Sequence, residues 1–265
     1  MELLKEFKNI VDEVALLEAE LLEQLVLEGV DDPGILKCIF MAGGPGSGKS
    51  FVAQEIFGID KNLRTSVAAS GLKVVNSDPA FEAQLKKHGI NPKDLAKIEK
   101  EEPELWDFIT KNPQGPRETA KKQVAKFKEF YEAGRLGMII DGTGDNYDKV
   151  ARQKKEAEAL GYDTYMVFVN TSLEVAKERN LQRSRVVPEE LLTKSWKACQ
   201  DNMGKFQTMF SGNFRIVDNS KTGNNITSDI QKGVDGFIRE PLRNPIGKKW
   251  VTQARILKQA NIIKR

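Results

Sequence analysis

The chain of 265 residues contains one histidine and two cysteines, and no apolar run of great length. Each scarcity excludes something. His88 has no ligand partner nearby and is expected at the surface, so Ser–His nucleophilic chemistry has no support. Cys38 lies in an apolar run and Cys199 in a helical one, and two unpatterned cysteines make neither a disulfide framework nor a metal site. A reducing, cytoplasmic setting fits them best. No stretch approaches the roughly 18 apolar residues of a membrane span, and Met1 is followed by an acidic segment, so the protein is expected to be soluble and unprocessed. Internal repeats, low-complexity tracts and the Asn-Lys-x-Asp guanine signature are all missing.

What remains is enough for one sizeable core, with 40% apolar residues and a formal charge of +3. The charge is unevenly spread. Residues 1–28 carry two Lys against eight Asp/Glu, a net −6, whereas residues 240–265 carry seven Lys/Arg against one Glu, a net +6. Apolar residues from Leu3 through Phe7, Ile10, Val14, Leu17 and Leu21 to Leu25 recur at helical spacing, which predicts an amphipathic helix over 3–27 ending at Gly29. Asp31-Asp32-Pro33-Gly34 is a turn, and the core is expected to begin at Ile35.

Five short apolar runs without helical period read as buried strands: 36–41, 72–75, 138–140, 165–169 and 214–217. Helical stretches separate them at 118–132, 147–160, 173–182 and 188–210. Alternating strand and helix imply an α/β fold with a mostly parallel sheet covered on both faces. The longest insertion, 79–135, is charged and helical with breaks at Asn91-Pro92, Pro103 and 112–116. It leaves a strand's carboxyl end, where ligands of open α/β sheets bind, and either shapes a substrate pocket or elaborates the surface. The domain plan is therefore 1–34 for helix and turn, 35–235 for the core, and 236–265 for a basic extension. That extension is helical after Pro241 and Pro245, with Trp250, Ala254 and Leu257 on one face.

Gly43-Gly44-Pro45-Gly46-Ser47-Gly48-Lys49-Ser50 matches G-x-x-x-x-G-K-[ST] between a strand and a helix. Its glycines let successive amide N–H groups converge on a β-phosphate, and the following helix adds its positive end. Lys49 is expected to bridge the β- and γ-phosphates of ATP and Ser50 to ligate Mg²⁺. This loop implies nucleotide binding but not the reaction, since GTPases and motor ATPases share it.

Asp78 ends the second strand and is a candidate general base toward an acceptor hydroxyl; as Asp before Pro79 it also suits the start of a helix. Asp141 ends the third strand in Asp141-Gly142-Thr143-Gly144, where a second carboxylate helps hold Mg²⁺. Arg179, Arg183 and Arg185 fall within seven residues after the fourth strand. They form either a lid over the nucleotide or a solvated basic face. Arg117, at a helix start before the third strand, can reach the substrate pocket.

Together the phosphate loop, the Asp78 strand end, the block 141–144 leading to Ala159-Leu160-Gly161-Tyr162-Asp163, and 178–188 resemble the zeta-toxin group of P-loop kinases. The arginine-rich lid is similar to that of phage polynucleotide kinases. The resemblance covers about residues 35–219 and implies a five-stranded P-loop kinase core with a lid at 179–188. It implies that Lys49 and Ser50 bind MgATP, that Asp78 deprotonates the acceptor, that Arg117 contacts the substrate, and that Arg179 and Arg185 contact phosphates. Asp78, Arg117, Asp141 and Thr143 make up the expected acceptor side. Asp141 departs from the Glu common in zeta toxins, and the lid is shorter than theirs. Acceptors in such families include UDP-N-acetylglucosamine, polynucleotide ends and hydroxymethylated DNA bases.

The resulting expectation is a kinase that moves the γ-phosphoryl of MgATP to a hydroxyl of a nucleotide or nucleic acid. A kinase of UDP-N-acetyl sugars and an ATP-binding regulatory module without transfer are the alternatives. The basic tail binds nucleic-acid phosphate or docks on the acidic first helix.

Overall fold

The computed structural model describes residues 30–32, 34–59, 67–182, 186–221 and 228–259. The helix expected over 3–27 lies outside them.

Five strands form one parallel sheet: β1 (Lys37–Ala42), β2 (Lys73–Val75), β3 (Met138–Asp141), β4 (Asp163–Asn170) and β5 (Phe214–Asp218). Their order is β2-β3-β1-β4-β5, so β1 is central and the chain changes direction across it. Every residue of β1 is buried, as an apolar run with both faces covered requires. Its side chains alternate between two cores, with Cys38, Phe40 and Ala42 in one and Ile39 and Met41 in the other.

The first core is closed by α5 (Pro116–Ala133), α6 (Tyr147–Ala159) and α8 (Glu189–Phe210) through Tyr131, Ala157, Cys199, Phe206 and Phe210. On the second face lie α1 (Lys49–Phe57) and α9 (Ser228–Arg239), through Val52, Ile56, Phe57, Val234 and Phe237. Between β4 and α8 runs α7 (Leu173–Leu181), capped by Ser172, whose hydroxyl accepts from the Val175 amide at 3.3 Å.

The insertion is helical, and its expected breaks are real. It contains α2 (Asp78–Lys87), a 3₁₀ turn at Pro92–Asp94, α3 (Leu95–Glu101) and α4 (Pro103–Thr110) before α5. Phe81, Leu85, Leu95, Ile98, Ile109 and Ala120 give it a small core of its own. His88 is exposed as expected, with its ring edge-on to Phe108 at 5.4 Å.

The carboxyl extension forms α10 (Pro245–Gln259), beginning at the second expected break. It is anchored at the amino ends of the strands. Asp163, the first residue of β4, accepts from buried Lys37 Nζ at 3.1 Å and from the Arg243 and Asn244 amides, both at 2.9 Å. Asn244 Nδ2 donates in turn to the carbonyls of Glu158 at 2.8 Å and Tyr162 at 3.2 Å. The phosphate loop lies at the other end of the strands, about 20 Å away at roughly 3.3 Å per residue. The basic helix therefore starts at the pole opposite that loop. Near it, Asp31 pairs with Arg255 at 2.8 Å and Lys258 at 3.4 Å.

Candidate active site

The phosphate loop turns sharply between β1 and α1. Gly46 and Gly48 have φ of 78° and 83°, a left-handed region that side chains rarely enter. Space forbids a side chain as well: a Cβ at Gly46 would lie 2.2 Å from the Ala176 carbonyl oxygen, and one at Gly48 2.2 Å from Asn219 Nδ2. Among the described residues, the amides of Gly46, Gly48, Lys49 and Ser50 have no backbone acceptor. They are the donors of an anion nest at a helix start.

Lys49 Nζ stands 3.0 Å from Asp141 Oδ1, and Asp141 Oδ2 accepts from Asn76 Nδ2 at 2.8 Å. The other end of the Asn76 amide accepts from the backbone N–H of Asp78 at 2.8 Å. Asn76 thus serves the start of α2, of which Asp78 is the first residue. The Asp78 carboxylate turns to Arg117, with Oδ1 3.5 Å from Nη1, and the guanidinium lies over the Phe81 ring at 5.0 Å. The ends of β2 and β3 and the start of α5 are joined in this way across the mouth of the loop.

The turn after β3 is held by α8. Cys199 Sγ donates to the Thr143 carbonyl at 3.1 Å, and Asn202 Nδ2 donates to the carbonyls of Gly144 and Asp145 at 3.1 and 3.0 Å. Asp145 accepts from the hydroxyls of Thr143 at 2.6 Å and Ser195 at 3.0 Å. Burial pushes the Cys199 thiol up to about 12, which keeps it neutral and suited to donate.

In the last turn of α7, Arg179 Nη1 donates to the Asn219 carbonyl at 2.8 Å. The buried Asn180 side chain grips Val187 twice, accepting from its N–H at 3.0 Å and donating to its C=O at 2.7 Å. Arg183 and Arg185 lie outside the described residues.

Several of these groups border one cavity of about 870 Å³. The loop residues from Gly43 to Ser50 form its floor, Asp78 and Arg117 one wall, and Thr143, Asp145 and Arg179 further parts of the rim. Leu191, Lys194, Ser195 and Ala198 complete it, spaced to share one face of α8. Asp141 joins the set through Lys49 rather than by lining the cavity. Asn76, Asp145, Asn219 and the α8 face are absent from the sequence reading. Only Asn76, two residues before Asp78 in a turn-forming context, carried a local signal.

The oxygen set suits Mg²⁺. Among the described residues no three His, Cys, Asp or Glu cluster as a metal cage. Mg²⁺ at a phosphate loop needs no such cage, because one or two protein oxygens complement the phosphates and water. Ser50 on the cavity floor and Asp141 beside Lys49 are the oxygen side chains that would fit such an ion.

A central strand running into a glycine loop and helix, in a parallel sheet of order 2-3-1-4-5, defines an α/β protein of the P-loop kinase type. The chain belongs to the AAA_33 family of AAA domains, whose profile matches residues 38–206. Several solved structures are similar. A chain of the AvrRxo1-ORF1:-ORF2 complex with ATP is 15% identical with a TM-score of 0.46, covering 80% of this chain and 65% of its own. The PezAT toxin–antitoxin system of Streptococcus pneumoniae is 12% identical with a TM-score of 0.47, covering 92% and 95%. Deoxyadenosine kinase from M. mycoides with bound dATP is 19% identical with a TM-score of 0.37, covering 75% and 99%. The chain thus spans less than two thirds, 65%, of the AvrRxo1 complex chain it matches. No curated protein sequence matches it. Among the described residues no helix is long and apolar enough to cross a membrane.

Proposed function

We propose that the protein is a kinase that transfers the γ-phosphoryl of ATP, with Mg²⁺, to a hydroxyl of a nucleotide or nucleic-acid substrate. The observation that carries this reading is that the phosphate loop and the Asp78–Arg117 pair border one cavity. The pair places a carboxylate that can accept a hydroxyl proton and a cation that can hold an acceptor opposite the donor loop.

On this reading the loop amides and Lys49 hold the β- and γ-phosphates. Ser50 and Asp141 would hold Mg²⁺, which would supply neutralisation of phosphate charge. Asp78 accepts the proton of the attacking hydroxyl, an assistance of about 10²–10⁴-fold. Arg117 orients the acceptor while its stacking on Phe81 restrains the guanidinium. Arg179, with Arg183 and Arg185, stabilises charge on the group in transfer. Residues 35–235 form the kinase core, with 79–135 as the acceptor wall and 179–188 as the lid. Arg117 and Lys194 on the cavity wall favour an acceptor that itself carries phosphate. Two free buried thiols suit a reducing, cytoplasmic setting.

The test is incubation with γ-labelled ATP and Mg²⁺ against separate pools of oligonucleotides, hydroxymethylated DNA, nucleotides and UDP-sugars, with Asp78→Asn as control. Label entering a nucleotide or nucleic-acid pool with the wild type alone supports the proposal. Label in the UDP-sugar pool alone replaces the acceptor class. ADP without a labelled acceptor in any pool would sink the kinase reading in favour of a regulatory ATP-binding module.

A further inference from the structure

Asn219, the first residue after β5, is only 7% exposed and joins three parts of the donor side. Its Nδ2 donates to the Ser47 carbonyl in the phosphate loop at 2.8 Å. Its own carbonyl accepts from Arg179 Nη1 at 2.8 Å and from Thr171 Oγ1 at 3.3 Å. Its amide donates to the Asn170 carbonyl at 2.8 Å, which fixes it to the end of β4. Nothing in the sequence motifs marks this residue.

The planarity of the peptide bond makes the Ser47 contact informative. In a trans peptide the C=O of one residue and the N–H of the next point in opposite directions. Holding the Ser47 carbonyl outward on Asn219 therefore turns the Gly48 N–H the other way, toward the cavity floor to which Gly48 contributes. That N–H has no backbone acceptor among the described residues. A Cβ at position 48 would lie 2.2 Å from Asn219 Nδ2.

We infer that Asn219 is a positioning residue of the donor site, aiming the phosphate loop with its side chain and Arg179 with its carbonyl. The inference rests on the donor-site reading of the loop. A shared anchor sets the loop donor and the lid cation relative to each other before nucleotide arrives, so neither reorganises on binding. The ligand part that senses this anchor is the β-phosphate, with the adenosine moiety largely indifferent to it.

The experiment is calorimetric titration of ADP and of AMP into the full chain, in the wild type, Asn219→Ala, Arg179→Ala and the double variant. Asn219→Ala is expected to weaken ADP about tenfold, the size of one misdirected hydrogen bond to a charged group, and AMP by less than about twofold. The double variant is expected to lose less than the product of the single losses, as for groups in one network. Equal weakening of ADP and AMP, or unchanged ADP binding by a folded variant, overturns the inference, and so do losses that simply multiply. If Asn219→Ala does not fold, Asn219→Leu, which keeps the volume and removes the donor without adding charge, is held to the same outcomes. A wild type that binds no adenine nucleotide overturns the donor-site reading itself, which the variants alone could not do.

Discussion

Lys49 Nζ and Asp141 Oδ1 lie 3.0 Å apart, so the lysine of the phosphate loop rests on the carboxylate at the end of the neighbouring strand. Register explains the meeting, because Met41, one residue before the end of β1, pairs with Asp141, the last residue of β3. Both side chains are largely buried, at 18% and 13% exposure, so the pair competes appreciably with phosphate for Lys49.

Asp141→Asn should release Lys49 and remove a charge that repels free nucleotide. ATP binding in EDTA is expected to tighten about threefold to tenfold, while the gain from added Mg²⁺ shrinks. Calorimetry with and without Mg²⁺ measures both, and weaker metal-free binding would contradict this role of the pair.

Gly46→Ala should damage the loop without touching a charged group. Its Cβ would meet the backbone of Ala176 at a φ of 78°. The expected cost is about 2 kcal/mol or more in urea unfolding, with nucleotide binding lost in parallel. A variant as stable as wild type that still binds ATP would show that α7 yields easily.

Asp163→Ala tests the anchor of the basic extension. Lys37, 1% exposed, would lose its partner and the Arg243 and Asn244 amides their acceptor. Destabilisation of about 3 kcal/mol is expected, with faster hydrogen exchange in α10 than in β1. Since this anchor lies at the far pole, ATP affinity in the folded fraction should stay within about twofold.

Both thiols should resist modification. Burial raises the thiol of Cys38 and pushes that of Cys199 up to about 12, against an ordinary value of 9.0. Alkylation of Cys199 at pH 8 is expected about a thousandfold slower than that of a free thiol until the protein unfolds. The raised values also bear on stability. The unfolded thiol ionises first, so its contribution is whole below pH 9 and is lost as pH rises toward 12. Cys199→Ala should therefore lose about 1 kcal/mol less than wild type between pH 8 and pH 10 in urea titrations.

Local sequence determined the elements. The apolar runs at 36–41 and 138–140 lie within one residue of β1 (Lys37–Ala42) and β3 (Met138–Asp141), because strands buried on both faces leave an unbroken apolar mark. Pro92, Pro103 and Pro116 each open a new helical segment of the insertion, since proline lacks the N–H a helix interior needs. The phosphate loop was legible because its chemistry is backbone chemistry and its glycines all fall within residues 43–48.

Only the tertiary structure decided who meets whom. Asn76, Asp145 and Asn219 are ordinary polar residues in loops, and each acts through a partner 65, 50 or 172 positions away. The basic extension illustrates the limit most plainly, because net charge by itself offered it two partners. Asp163 places its start at the amino ends of the strands, opposite the cavity, and leaves Arg255 and Lys258 beside Asp31. Periodicity and turn chemistry act over a few residues and are written in them. Long-range pairing is fixed only when the sheet order brings distant strand ends together.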